Sequence, residues 1–302
     1  MKRKSLSKQI RNALVAKTNF EGIDKHANKR SINSNQIVSS STYQNYLDEC
    51  FAFAKWVKAT YPNNAVNTLE KLRPYASDYL FNAKKKDGTD YSPWTLKKRR
   101  AAIAKLYGVE CRAICKLPIR CRKDIKRSRG ISTMDASYNP DNHYEVELLG
   151  RAAGLRRADF SRVYPKDFYF NESGILFLHI DKGKGGKPRE IMIDLDYAKD
   201  VLALIKDMPL NQRIIPLGCV PKKMDEHANR RAYAQAMYFR FARPISDIPK
   251  SERYYCRQDA KGLVLDRKAM AQVSLYLGHG SIDRKTGDYI PRVNVIASSY
   301  IV

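Results

Sequence analysis

The chain has 302 residues, too many for one ordinary core and a suitable length for two domains. It carries 56 Lys and Arg against 31 Asp and Glu, and this net charge of +25 favours a polyanionic partner, DNA or RNA. With 43% hydrophobic and 29% charged residues it is not typical of a disordered protein, and no apolar run approaches the roughly 20 residues of a membrane span.

The N-terminal segment is polar and basic. Residues 1–38 are rich in Ser, Asn and Lys, which predicts a basic N-terminal arm. The opening Met1-Lys2-Arg3-Lys4-Ser5 is not followed by the apolar region of a secretory signal. We therefore expect a cytoplasmic protein with no membrane partner.

Apolar residues recur at helical spacing through residues 39–117. One series runs from Tyr43 to Val57, and Ser41 or Thr42 is placed to cap the helix it predicts. A second series surrounds Pro74. The pattern predicts a small all-α bundle, the first of two domains.

Ser92 followed by Pro93 is a typical helix start. The predicted helix directs Leu96, Ile103, Leu106 and Tyr107 inward. It also carries the basic run Lys97, Lys98, Arg99 and Arg100, which is either a solvated face or a set of phosphate contacts. Because the whole chain is so basic, we take these four residues as candidate DNA contacts.

Residues 118–130 read PIRCRKDIKRSRG and show little apolar periodicity. This composition predicts a basic linker lying along a phosphate backbone, with Arg120, Arg122, Lys126 and Arg127 as candidate contacts. Three cysteines cluster nearby, at positions 111, 115 and 121, but their spacing matches no common zinc site and no histidine completes the set. We expect no metal and no cofactor.

The remaining residues, 131–302, mix predicted helices with a few strands. A helix over the Val146–Ala153 segment ends at Gly154, and Arg156 follows at the junction with a second helical stretch. Ile175–Ile180 and Arg189–Ile193 predict a β-hairpin, whose Gly- and Lys-rich tip carries Lys182, Lys184 and Lys187. Tyr254–Cys256 and Leu263–Leu265 predict a further hairpin.

Five short motifs follow one another through this region. They are Gly154-Leu155-Arg156-Arg157-Ala158-Asp159, Gly183-Lys184-Gly185, His227-x-x-Arg230, Leu277-Gly278-His279 and a late tyrosine. In this order they resemble the tyrosine recombinase (phage-type integrase) family over about residues 140–302. The resemblance implies a mixed α+β catalytic domain with a small antiparallel sheet, preceded by a helical domain that binds the core DNA site.

The resemblance also implies a chemistry. A tyrosine attacks a DNA phosphodiester and forms a 3′-phosphotyrosine, while Arg156 and Arg230 stabilise the charge of the transition state. His227 and His279 bind the same oxygens or manage the tyrosine proton, and Lys184 is the general acid for the leaving 5′ oxygen. Family members act as tetramers on two DNA duplexes, so a homotetramer on double-stranded DNA is expected, with Lys182 and Lys187 touching the DNA.

Some details depart from the family pattern. Arg230 and His279 are 49 residues apart, and Asn229-Arg230-Arg231 stands where Leu-Arg-His is more usual; the spacing from His227 favours Arg230 over Arg231. Tyr289 and Tyr300 lie 10 and 21 residues beyond His279. The ending RVNVIASSY resembles that of integrases whose nucleophile is close to the C-terminus, which favours Tyr300 and makes residues 280–291 an inserted loop.

The leading hypothesis is therefore a site-specific recombinase that integrates and excises a mobile element. A type IB topoisomerase shares the chemistry. A non-catalytic DNA-binding protein would need the charge but not the ordered Arg-Lys-His-Arg-His-Tyr set. An RNA-binding protein is disfavoured because no aromatic-rich recognition motif is evident.

Overall fold

A computed structural model describes residues 5–20, 36–119, 138–183, 188–222, 224–257, 260–283 and 286–302. The chain forms two compact units, Met1–Ile125 and Lys126–Val302. The molecule is mixed α+β, and its sheets are small and antiparallel.

The first unit is helical over its described residues. Its α-helices are α1 Leu6–Val15, α2 Ser40–Thr60, α3 Leu69–Leu72, α4 Ala76–Asn82 and α5 Pro93–Tyr107, with 3-10 turns at Arg73–Tyr75 and Cys111–Ala113. The α2 helix is capped by Ser39, whose side chain accepts from the Thr42 N–H at 3.2 Å, and not by Ser41 or Thr42 as predicted. The predicted start of α5 is confirmed, because Ser92 caps it and Pro93 is its first residue.

The N-terminal arm prediction is wrong for residues 6–15, which form α1. Leu6, Ile10 and Leu14 recur every four residues and are buried against α2 and α5. Just beyond the helix, the Lys17 Nζ donates to the carbonyl oxygens of Lys105 and Leu106, at 2.5 and 2.8 Å. The basic composition of this segment led to the arm prediction, although Leu6, Ile10 and Leu14 belong to the core of this unit.

Arg99 differs from the other members of the predicted basic face. It lies three residues after Leu96 and four before Ile103, so it shares their inward face. Its guanidinium sits 3.5 Å from the centroid of the Tyr91 ring, and its Nε is 3.3 Å from Glu49 Oε2. Only 7% of the Arg99 surface is exposed, so this residue packs between the helices. The prediction that Arg99 contacts DNA is therefore wrong.

The second unit alternates helices with short strands. Its helices are α6 Tyr144–Ala153, α7 Arg157–Phe160, α8 Ala198–Ile205, α9 Glu226–Phe241, α10 Arg267–Tyr276, α11 Val293–Ile296 and the π-helical turn Ala297–Ile301. Its strands are β1 Phe168–Phe170, β2 Leu176–Ile180, β3 Arg189–Met192, β4 Arg253–Tyr255, β5 Val264–Asp266, β6 Gly280–Ile282 and β7 Tyr289–Pro291. Single 3-10 turns lie at Pro140–His143, Pro165–Asp167, Leu195–Tyr197, Ile245–Asp247 and Lys250–Glu252.

The described strands form three antiparallel sheets, with strand orders β1-β2-β3, β4-β5 and β6-β7. The predicted β2–β3 hairpin is confirmed, with Leu178 opposite Ile191. The β4–β5 hairpin is confirmed as well, with Tyr254 opposite Leu265. The β1 strand was not predicted, and the predicted loop at 280–291 is instead the β6–β7 hairpin, with Gly280 opposite Pro291.

The α9 helix lies at the centre of the second unit and packs against α6, α10 and the C-terminal turn. Its Tyr233 and Met237 are buried in a core that also contains Leu149, Met270 and Tyr300. The C-terminal segment is therefore part of the packed interior, and its Tyr300 contacts the middle of α9 at Gln235. Among the helices described here, none combines the length and the apolar character needed to cross a bilayer.

Ile10→Ala tests whether α1 belongs to the core of the first unit. Since Ile10 is fully buried, its truncation should lower the free energy of unfolding of that unit by about 2–5 kcal/mol. Urea denaturation followed by circular dichroism measures the change. Val15→Ala, on the same helix at a half-exposed position, is the control and should cost about 0.5 kcal/mol or less. Equal effects would show that α1 is not packed.

Candidate functional site

Arg156 is positioned by a sharp turn between α6 and α7. Gly154 ends α6 with φ +55°, and a Cβ there would lie 2.7 Å from Tyr233 Cδ1, so both backbone conformation and space require glycine. The Arg156 backbone N–H donates to Asp159 Oδ2 at 3.1 Å, which fixes the start of α7. Its Nη2 donates to the Leu277 carbonyl oxygen at 2.8 Å.

Arg230 reaches the same place from the first turns of α9. Its side chain is 1% exposed; Nη1 donates to the Gly154 carbonyl, and Nη2 donates to the Leu277 carbonyl at 3.2 Å. Two guanidinium groups thus share one backbone oxygen. The half-buried Arg231 makes none of these contacts, so Arg230 is the arginine that the turn of α9 presents to Arg156.

His279 and Tyr300 complete the cluster. His279 Nε2 lies 2.8 Å from the Tyr300 hydroxyl and 3.4 Å from Arg230 Nη2. Tyr300 is 6% exposed and sits on the π-helical turn, where Gln235 Nε2 of α9 donates to its carbonyl at 3.1 Å. Of the predicted catalytic residues, the structure brings together Arg156, Arg230, His279 and Tyr300.

Arg189 and Asp159 belong to the site, although neither was predicted from the sequence as a site residue. Arg189, at the start of β3, is buried, and its Nη2 donates to Asp159 Oδ2 at 2.6 Å. Its Nε is buried and has no hydrogen-bond partner among the residues that the structure describes. A Cβ built on Gly278 would lie 3.4 Å from Arg189 Nη1 and 3.7 Å from Arg156 Nη1, so both guanidinium groups face this glycine. The sequence did offer a signal for Arg189: it is a charged residue at the start of a strand whose other residues are mostly apolar.

The electrostatics of the cluster favour an anion. Burial lowers the pKa of Arg156 to about 10, and the guanidinium groups of Arg230 and Arg189 act in the same direction. Asp159 pairs with Arg189, whereas no carboxylate of the described residues pairs with Arg230. A buried guanidinium without a counter-ion is costly. An anion with several oxygens, such as a phosphodiester, would satisfy these donors.

Other predicted site residues lie elsewhere. His227 is exposed on the first turn of α9 and makes no hydrogen bond to another described residue. Lys182 is exposed beside the end of β2. The following candidates lie outside the described residues: Lys184, Lys187, Arg120, Arg122, Lys126 and Arg127.

Tyr289, the alternative nucleophile, lies on β7 next to the cluster. Its hydroxyl donates to the Ser274 carbonyl at 2.9 Å, whereas Tyr300 contacts His279. Burial raises the pKa of Tyr289, which keeps its hydroxyl a donor. The two tyrosines therefore occupy different hydrogen-bonding positions, and Tyr300 is the one whose hydroxyl contacts His279.

The first unit has a basic groove of its own, a cavity of about 640 Å³. Its lining includes Lys97, Arg100, Arg112 and Lys116. Arg100 Nη1 donates to the Cys115 carbonyl at 2.8 Å, which holds the segment after α5 against the helix. Arg112 and Lys116 were missed by sequence reasoning, because they follow the helix on which the basic run was noticed. Cys111 and Cys115 are free thiols.

The fold and the site define a basic, mixed α+β protein with a buried cluster of guanidinium groups beside a histidine–tyrosine pair. No protein-family model matches the chain, and no curated protein matches it in sequence. The recombinase resemblance therefore stays a prediction from its motifs and from the cluster geometry.

Asp159→Asn tests how strongly this carboxylate compensates the cluster. The substitution keeps the size of the side chain but leaves Arg189 without its counter-charge. We expect a loss of about 3–5 kcal/mol in the stability of the second unit, the cost of breaking a buried ion pair. Chemical denaturation in chloride and in sulfate provides the measurement, and sulfate should recover part of the loss because it can bind the freed cations.

The control is Asp207→Asn, at an exposed carboxylate of the same unit, which should have no effect in either salt. An Asp159→Asn variant as stable as this control would show that Asp159 does not offset the guanidinium charge.

Proposed function

We propose that this protein is a tyrosine-type site-specific DNA recombinase, which cleaves and rejoins DNA through a 3′-phosphotyrosine intermediate. One observation carries the proposal: the Tyr300 hydroxyl is 2.8 Å from His279 Nε2, in a cluster with the buried Arg230 and with Arg156. A phenol beside an imidazole and cations suits attack on a phosphodiester better than it suits a role in packing.

In the proposed reaction the Tyr300 oxygen attacks the scissile phosphorus and the bond from phosphorus to the 5′ oxygen breaks. The phenolic proton passes to His279, and Lys184 protonates the departing oxygen. Negative charge grows on the non-bridging oxygens, where Arg156 and Arg230 stabilise it. Attack of a 5′ hydroxyl on the phosphotyrosine reverses these steps. This sequence of steps requires neither a metal nor another cofactor.

Double-stranded DNA is the proposed partner, and the groove of the first unit is its proposed backbone contact. Lys97, Arg100, Arg112 and Lys116 place four cations around one concave surface, as phosphate binding requires. The family resemblance adds action as a homotetramer at attachment sites of a mobile element, for its integration and excision, in the cytoplasm. A type IB topoisomerase would relax supercoils with the same chemistry but would not exchange sites.

A non-catalytic DNA-binding protein is the second candidate, and the position of His227 favours it. This histidine is exposed and makes no hydrogen bond to another described residue, whereas His279 contacts Tyr300. A catalytic role for His227 would therefore need contacts that form only on DNA. Both candidates bind DNA, so only a test of DNA cleavage distinguishes them.

The decisive experiment is adduct formation on a nicked suicide substrate that carries the junction sequence of the encoding element. Wild type should yield a denaturant-resistant protein–DNA adduct, and Tyr300→Phe should yield none because it lacks the attacking oxygen. Arg230→Ala should slow adduct formation by roughly 10²–10³-fold, as expected on loss of one group that stabilises an oxyanion. Gel electrophoresis under denaturing conditions measures all three.

The exposed Tyr255 provides the control, since Tyr255→Phe should form adduct at the wild-type rate. Absence of an adduct with wild type, on a sequence that the protein binds tightly, would favour the binding protein. An adduct that persists in Tyr300→Phe would assign the nucleophile to another residue.

Salt dependence tests the groove as a DNA contact. Lys97→Ala and Lys116→Ala should each weaken DNA binding on any sequence and should lower the slope of log affinity against log salt by about 1. Fluorescence anisotropy over a salt series measures the slope. Lys55→Ala, on the exposed face of α2, should leave the slope unchanged. Equal slopes in all variants would exclude the groove.

A further inference from the structure

The β6–β7 hairpin begins directly after His279 and folds Tyr289 back over it. Gly280 lies opposite Pro291, and the Tyr289 ring covers Gly280 so closely that an added Cβ would be 2.2 Å from Tyr289 Cζ. Glycine is thus required at position 280 because of the ring. The hairpin holds this tyrosine in a fixed place beside the histidine backbone.

The Tyr289 hydroxyl and the His279 backbone meet at one oxygen. The Ser274 carbonyl, in the last turn of α10, accepts the Tyr289 hydroxyl at 2.9 Å and the His279 N–H at 2.8 Å. A carbonyl oxygen has two acceptor positions, and these two donors fill both. Tyr289 therefore binds the same backbone oxygen that accepts the His279 N–H.

Ser274 also anchors the other side of His279. Its side chain is fully buried, and its hydroxyl donates to the His279 carbonyl and accepts the Arg292 N–H at 3.0 Å. The Arg292 N–H lies 3.0 Å from the His279 carbonyl as well. Both backbone polar groups of His279 are thereby tied to Ser274, and the chain that leads into Tyr300 is tied there too.

We propose that Ser274 and Tyr289 are positioning residues, a clamp that sets the direction of the His279 imidazole toward Tyr300. The role in catalysis rests on the proposed recombinase function, whereas the clamp itself is a statement about His279 alone. On this proposal Tyr289 supports His279 and does not attack the phosphate. The nucleophile is then the later residue, Tyr300.

The clamp is tested by the imidazole signals of His279 in the full chain, labelled at its histidine rings. The chain has five histidines, and the His279 signal is the one lost in His279→Gln. Tyr289→Phe keeps the ring over Gly280 and removes only the hydroxyl, so the fold is retained. We expect the His279 signal to shift or broaden in Tyr289→Phe and in Ser274→Ala, while the His227 signal stays in place.

The matched control is Tyr255→Phe, which should leave every histidine signal unchanged. In the adduct assay, Tyr289→Phe should still form adduct, at a rate about tenfold lower, as expected on loss of one hydrogen bond that orients the histidine. Substrate affinity should remain at the wild-type value, because Tyr289 does not touch DNA on this proposal.

The two proposals fail in different ways. Unchanged His279 signals in both Tyr289→Phe and Ser274→Ala would overturn the clamp, whatever the protein does to DNA. Loss of adduct in Tyr289→Phe together with its retention in Tyr300→Phe would overturn the clamp and exchange the roles of the two tyrosines. Shifted signals without any wild-type adduct would support the clamp and count against the recombinase.

Discussion

The second unit depends on one backbone oxygen, the carbonyl of Leu277, to which both Arg156 and Arg230 donate. Two guanidinium groups repel each other, and each loses hydration when it is buried. They can lie this close only because the surrounding structure holds them in place. The glycine turn before Arg156, the central helix that carries Arg230 and the end of α10 all meet at this oxygen. The Asp159 carboxylate offsets part of the charge, and an incoming phosphate would offset the remainder.

Much of the cluster could be predicted from the sequence because its members come from short, ordered motifs. Arg156 follows a glycine that ends a helix, and Arg230 lies three residues after His227 on a predicted helix; the structure has both elements. The hairpins around residues 178 and 254 were also predictable, since short strand-like segments are joined there by glycine-containing turns. These elements could be predicted because residues close together in the sequence determine their conformation.

The failures have a common physical cause, which is that partners distant in sequence decide the outcome. The charge of Arg99 suggested an exposed face, yet aromatic rings and Glu49 from other segments take it into the interior. Residues 280–291 were expected to be an inserted loop because the resemblance favoured Tyr300 as the nucleophile. In the structure the Arg292 N–H contacts both the His279 carbonyl and the Ser274 hydroxyl, which closes a hairpin there. His227 and Arg230 share a helix, but only Arg230 is buried, because the Gly154 and Leu277 carbonyls accept its guanidinium donors.

The π-helical turn that carries Tyr300 limits which deletions this segment can tolerate. Residues Ala297–Ile301 follow a π-helical path, closed by the Val302 N–H on the Ala297 carbonyl at 3.0 Å. Such a turn holds one residue more than an α-helical turn, and each residue of an α-helix rotates its side chain by roughly 100°. Loss of a single residue from this turn would swing the phenol at position 300 around the helix axis and away from His279. The phase of the final turn, and not merely the presence of a terminal tyrosine, is what this segment has to preserve.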